Sequence, residues 1–141
     1  THDPLSIYSF QNQHVMLLQT ILLDFWDSIS GKSKTRELLH PYVTDEALFQ
    51  HVEMFEGGFP QYRLKAEDIL EQGDKVVVRA HFSGTHTGEF NGIPATGKPV
   101  ELPFIIIYRF ENGKIAEHWL EANHLVLLTQ LGVLNPEAAT A

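Results

Sequence analysis

The sequence predicts an α+β domain in which N-terminal helices pack on one face of a curved antiparallel sheet. Three observations carry this prediction. Apolar residues recur at three- and four-residue steps through the first thirty positions, a helical period. After Pro60 the period changes to two, in runs rich in Val, Ile, Phe and Tyr. Two short turn signals, Gly73-Asp74 and Asn112-Gly113, join those runs as hairpins, so neighbouring strands are antiparallel. Helices first and a strand meander afterwards is the order of an α+β fold.

The elements follow in sequence. The first helix is predicted over 3–30, with Ile7, Phe10, His14, Leu17, Leu18, Ile21, Leu22, Phe25 and Ile29 on one face. Asp3-Pro4 starts it and Ser30-Gly31 ends it. A short second helix follows Ser33 and stops near His40, because Pro41 keeps its predecessor out of the α region. Thr44 is expected to cap a third helix over 45–56, with Asp45 and Glu46 complementing its dipole and Gly57-Gly58 stopping it. Strands are predicted over 62–70, 75–87, 98–111 and 114–122, and a last helix over 123–131. The stretch 88–97, with three glycines and a proline, reads as a longer connection.

Composition removes several function classes. The 141 residues suit a single domain, 1–141, able to bury a real core. A formal net charge of -8 and ten scattered Lys and Arg residues leave no basic footprint for nucleic acid or an anionic membrane. Without cysteine there is no disulfide, no thiolate metal site and no cysteine nucleophile. No signal peptide or bilayer-length apolar run is visible, so a cytoplasmic location is expected.

The Asn112-Gly113 hairpin sets a register if its loop has two residues. Glu111 then faces Lys114, and Ile106 faces Trp119. One face would carry Phe104, Ile106, Tyr108, Phe110, Ile115, Glu117, Trp119 and Glu121. The other would carry Ile105, Ile107, Arg109, Ala116, His118, Leu120 and Ala122. The first, with the larger aromatic rings, is expected to face inward. Both faces are largely apolar, so both are expected to be covered, one by helices and the other by a loop or by the partner of a homodimer. A glutamate among aromatic rings is costly unless paired or protonated, and burial raises its pKa toward the range of a useful acid or base. The alternative for Glu117 and Glu121 is solvent exposure or pairing with Arg79 or Arg109.

The run Gly84-Thr-His-Thr-Gly-Glu-Phe-Asn-Gly-Ile-Pro-Ala-Thr-Gly-Lys98, then Tyr108-Arg-Phe-Glu-Asn-Gly-Lys-Ile-Ala-Glu-His-Trp119 and Leu127-Leu-Thr-Gln-Leu-Gly132, resembles the SnoaL-like polyketide cyclases, also called ester cyclases. The resemblance is strongest from about Phe59 to Val133 and looser before. It implies the cone-shaped α+β barrel fold of the nuclear transport factor 2-like superfamily. It also implies a homodimer and an apolar pocket for a small hydrophobic molecule. The chemistry implied is an intramolecular aldol ring closure, or a related isomerisation, with no metal or organic cofactor. In such chemistry a carboxylate removes a proton beside a carbonyl, the pattern of a tuned acid in an apolar site.

At three positions where the family carries acids this chain does not. Asn123 stands where an aspartate follows the tryptophan by four residues, Leu120 where an acid follows it directly, and Ile106 where the preceding strand often carries aspartate. Asparagine can hydrogen-bond a carbonyl but cannot accept a proton at useful pH. Glu121, two residues before Asn123 on a strand, is the expected replacement base, with Asn123 holding the carbonyl. Trp119, Tyr108, Ile106, Phe104, His51 and Phe55 are expected to line the pocket. His51 is open to a second reading, a histidine packed among Leu48, Val52 and Phe55. His118, on the opposite face from Trp119, is expected to be structural. No His-x-His or His-x-x-x-His pair with nearby acids marks a metal site, so none is expected. Without a competent acid the same pocket would belong to a non-catalytic protein that binds a small hydrophobic ligand.

Overall fold

The computed structural model describes residues 18–134. Within them α1 covers 18–29, and the predicted helix over 3–17 lies outside the described residues. The chain continues through α2 (Arg36–Leu39), α3 (Glu46–Gly58), β1 (Arg63–Gln72), β2 (Lys75–Thr85), β3 (Pro99–Glu111), β4 (Lys114–Ala122) and α4 (His124–Gln130). The four strands form one antiparallel meander in the order β1-β2-β3-β4. The helices pack on its concave face, as expected of an α+β cone.

The apolar stripe of α1 explains its place. Leu18, Leu22, Phe25, Trp26 and Ile29 are all buried against Val76, Val78 and Ala80 of β2 and Ile106, Tyr108 and Phe110 of β3. A second cluster forms at the other end of the sheet, where Phe55, Phe59, Tyr62, Phe82 and Phe90 pack with Leu127 and Leu131 at α4. Buried rings of this size dominate core energetics, and several pairs here meet edge to face, as Phe59 and Phe82 do at 5.3 Å.

Helix boundaries differ from expectation for local reasons. Asp45, not Thr44, caps α3, its carboxylate accepting from the Ala47 amide at 3.0 Å. Thr44 instead gives its amide to the Ile115 carbonyl at 2.9 Å, tying the start of α3 to β4. The Gly57-Gly58 pair forms the last two residues of α3, which therefore ends two residues later than expected, at Gly58 with Phe59 as its C-cap. The surrounding glycines serve close packing: a Cβ on Gly58 would come 2.7 Å from the Phe90 Cβ, and one on Gly88 only 1.9 Å from the Gly57 carbonyl oxygen.

Both hairpins are two-residue turns, pairing Gln72 with Lys75 and Glu111 with Lys114. Asn112 and Gly113 have φ of 52° and 75°, the left-handed pair that a type I′ turn requires. The register beyond the second turn departs from expectation. Phe110 pairs with Ile115, but Arg109 pairs with Glu117, so Ala116 is an extra residue in β4. Side chains alternate along a strand, so one extra residue exchanges the two faces of everything after it. Ile106 therefore faces Leu120, not Trp119. His118, Leu120 and Ala122 turn inward, while Glu117, Trp119 and Glu121 turn outward.

The convex face carries exposed apolar side chains within this chain. Ile105, Leu70 and Trp119 are exposed there, interspersed with the ion pairs Arg79–Asp68 at 2.7 Å and Arg109–Glu117 at 2.9 Å.

Two outcomes test this packing. Deleting Ala116 would turn the bulge into a regular ladder, Phe110–Ile115 followed by Arg109–Glu117, with Glu117, Trp119 and Glu121 still outward. Urea unfolding is expected to change by less than about 3 kcal/mol, the scale on which an uncompensated buried charge would show. Gly88→Ala is expected to lower stability by about 1–3 kcal/mol, because its methyl meets backbone. Gly57→Ala, with open space at its Cβ, is expected to leave stability unchanged or raise it by up to about 1 kcal/mol. Thermal denaturation of the two variants side by side gives the comparison.

Candidate functional site

A narrow cavity of about 50 Å³ opens between α1, α3 and the concave face of the sheet. Its walls are almost wholly apolar. Phe104, Ile106 and Tyr108 enter from β3, Phe55 and His51 from α3, Trp26 from α1, and Tyr62 from the turn before β1. The cavity thus collects five residues expected from the sequence: Phe104, Ile106, Tyr108, His51 and Phe55. It adds Trp26 and Tyr62, and brings Leu120 and Ala122 inward through the β4 bulge.

Trp119, Asn123 and Glu121 are not in that wall. Trp119 is 44% exposed on the convex face. Asn123 is the N-cap of α4, its side-chain oxygen accepting from the Val126 amide at 3.2 Å. Glu121 is exposed and borders a shallow outer depression with Arg79, Ile105 and Asn123. The physical reason is the same for Glu121 and Trp119: the bulge at Ala116 puts odd-numbered residues of β4 on the outside from that point on.

Polar groups in the cavity wall are few, and each is neutral at neutral pH. Burial pushes the phenol pKa values of Tyr62 and Tyr108 far up, so both rings keep their protons. The Tyr108 hydroxyl accepts from the Trp26 indole N–H at 3.1 Å, which leaves its own proton for another acceptor. Tyr62 is buried, in contact with the Lys34 ammonium 3.8 Å from its ring centre and with Phe82 at 5.0 Å. Its hydroxyl has no protein hydrogen-bond partner among the described residues. Lys34 is itself tied down, giving to the Tyr62 carbonyl at 2.7 Å and pairing with Glu56 at 3.4 Å. His51 packs on Phe55 at 4.7 Å, and burial, with His118 and His124 nearby, pushes its pKa down to about 4. Both sequence readings of His51 thus meet: it is packed, and it walls the cavity.

Beside His51 lies a pair of which one member, His118, is placed differently from the sequence pattern. His118, expected to be structural on the other face, turns inward and its Nδ1 lies 2.6 Å from the Asp45 carboxylate. Both side chains are nearly buried, 13% and 11% exposed, and the His118 ring centre is 6.0 Å from that of His51. Asp45 reaches it because Thr44 and Asp45 both give their amides to the Ile115 carbonyl, pinning the N-terminus of α3 beside β4. The signal in the sequence is slight, an aspartate at a helix start and a histidine in a strand 73 residues later.

His86, near the Gly-rich connection, is fully buried, with the Thr96 amide giving to its Nδ1 at 3.2 Å. That bond fastens the connection to the end of β2. Among the described residues no three His, Asp or Glu side chains are grouped to hold a metal ion.

Known proteins share this architecture. TsrD from Streptomyces laurentii superposes with a TM-score of 0.72 at 26% identity, covering 84% of this chain and 97% of its own. AclR from Streptomyces galilaeus, a candidate hydroxylase, superposes at 0.74 with 25% identity, covering 86% and 99%. A candidate SnoaL-like polyketide cyclase from Jannaschia sp. CCS1, at 19% identity, shares the fold with a TM-score of 0.74 over 96% of this chain and 99% of its own. No curated protein matches the sequence. The family profile of SnoaL-like polyketide cyclases matches residues 21–131, from the first described helix to the end of the last. The chain belongs to the SnoaL-like polyketide cyclase family.

Proposed function

We propose that the cavity binds a small, largely apolar carbonyl compound and that the protein catalyses proton transfer beside that carbonyl, without a cofactor, as a cyclase or isomerase. The observation that carries this is the pair of phenols in an otherwise apolar wall. Tyr62 and Tyr108 each hold a proton with no acceptor in the protein among the described residues, so each is free to donate to a ligand. A ligand carbonyl would accept from them. In the transition state the same donors would meet an enolate oxygen, where hydrogen bonds in a dry site are strongest. His51 stays neutral and can share that role, as a neutral imidazole can polarise a carbonyl.

The alternative is binding without catalysis. It is favoured by the absence of any carboxylate from the cavity wall among the described residues and by the use of Asn123 as a helix cap.

Binding and polarity are tested with one ligand pair, 2-acetylnaphthalene and 2-ethylnaphthalene, each displacing a fluorescent naphthalene dye. The ketone is expected to bind about fivefold tighter, the equivalent of one hydrogen bond near 1 kcal/mol, and Tyr62→Phe is expected to remove much of that preference. Failure of either compound to displace the dye would refute the cavity as a ligand site.

His51 gives a second readout. Its folded pKa near 4 lies below the 6.5 of an unfolded histidine, so the unfolded chain binds the extra proton first as pH falls. The penalty is absent above about pH 6.5 and grows until the folded histidine titrates near 4. Between pH 7 and pH 5 this group is expected to cost roughly 2 kcal/mol of stability. Urea unfolding at both pH values is expected to show a drop that shrinks by about that amount in His51→Gln.

A further inference from the structure

We infer that His118, held by Asp45, is the base that serves the cavity, in the role that the sequence pattern assigns to Glu121. The inference rests on the cavity being the ligand site. The β4 bulge that sends Glu121 outward brings His118 inward, so one local irregularity exchanges a carboxylate for an imidazole on the concave face.

The geometry is that of an oriented base. Asp45 holds Nδ1 at 2.6 Å, which places the proton there and leaves the Nε2 lone pair outward. Nε2 has no hydrogen-bond partner among the described residues, and the side chain keeps a small exposure of 13%. Asp45 is fixed in turn, since its other oxygen caps α3 through the Ala47 amide. The groups facing the ring come from every neighbouring element: Asp45 and His51 from the α3 side, Tyr108 directly across the β3–β4 ladder, and His124 at the start of α4 close enough to act on His51. His118 stands beside the wall rather than in it, its ring centre 6.0 Å from that of His51, which is part of the wall. A ligand that His118 serves must therefore extend past the His51 edge of the cavity, with its reacting carbon at Nε2 and its carbonyl toward the phenols.

The step balances without an added reagent. Nε2 takes a proton from the carbon beside the carbonyl, and the C–H electron pair becomes the enolate, its oxygen facing the phenolic protons. The enolate carbon then either attacks a second carbonyl of the same molecule, forming a C–C bond, or is reprotonated elsewhere. In the first case the imidazolium returns its proton to the new alkoxide. Asp45 acts through His118 and is a positioning residue.

The test needs no natural substrate. 5-Nitrobenzisoxazole opens when a base removes its C3 proton: the C–H pair completes a nitrile, the N–O bond breaks, and the electrons leave on a coloured phenolate. The full-length protein is expected to open this probe in a saturable reaction. His118→Gln is expected to lose about a hundredfold or more, the usual contribution of a general base. Asp45→Asn, which keeps a competent helix cap, is expected to lose at least about tenfold. His118→Ala is expected to regain rate when free imidazole is added, which a purely structural histidine would not allow. Dye displacement run in parallel separates the two levels. If wild type and His118→Gln both bind dye and open the probe at the same rate, the inference is overturned while the cavity reading stands. It is likewise overturned if Glu121→Gln carries the loss, or if wild type binds dye but never opens the probe. If wild type binds no dye, the cavity reading itself has failed.

Discussion

The extra residue in β4 decides which side chains this protein shows to its cavity. Ile115 is pinned from two directions: its carbonyl takes the amides of Thr44 and Asp45, and its own amide gives to the Tyr42 carbonyl. The hairpin at Asn112-Gly113 fixes the other end of the same short segment, pairing Glu111 with Lys114. Ala116 lies between that anchor and the regular ladder with β3. A small residue absorbs the mismatch there without a large side chain to place, and the rest of β4 follows in the opposite phase. An Ile106–Trp119 pairing would put two glutamates against Tyr108 and Phe104, a costly burial. The observed pairing puts His118 and Ala122 there instead.

The cavity itself depends on an arrangement that keeps large rings apart. α1 and α3 stand off the sheet at different places, α1 over the Tyr108 end and α3 over the junction of the two core clusters. Between them Trp26 and Tyr108 are joined by a hydrogen bond at 3.1 Å, and Tyr62 is held by contacts with the Lys34 ammonium and the Phe82 ring. These contacts hold the rings as walls and oppose their collapse into the space. Lys34 is buried, and burial lowers its pKa while Glu56 opposes that shift. A buried cation of this kind is kept in place by its partners, which suits a residue whose task is to hold a ring still.

Much of the fold is legible from the sequence because period and turn chemistry are local. The change of period at Pro60, the Asn-Gly turn and the α1 stripe each act through neighbouring residues, and each has its counterpart in the structure. Five of the cavity residues are legible for the same reason: Phe104, Ile106 and Tyr108 because β3 runs regularly from Pro99 to Glu111, and His51 and Phe55 because they lie one helical turn apart on α3. What is not legible lies past the bulge. Ile115 and Ala116 are both apolar, so nothing in their order marks which is the extra residue. Its position comes from Thr44 and Asp45, some seventy residues earlier, and no local pattern contains that contact. The misplacement of His118, Trp119 and Glu121 is therefore one error with one cause.

Asp45 commits its two oxygens to different structures, one to the first turn of α3 and one to the His118 ring. Secondary structure and chemistry thus share a single atom group. The first turn of a helix is where fraying begins, and here any fraying loosens the imidazole as well. Conversely, whatever immobilises that ring also damps the start of α3, and with it His51 less than two turns further along the same helix. The cavity's readiness is then a property of a helix end rather than of a preformed rigid wall.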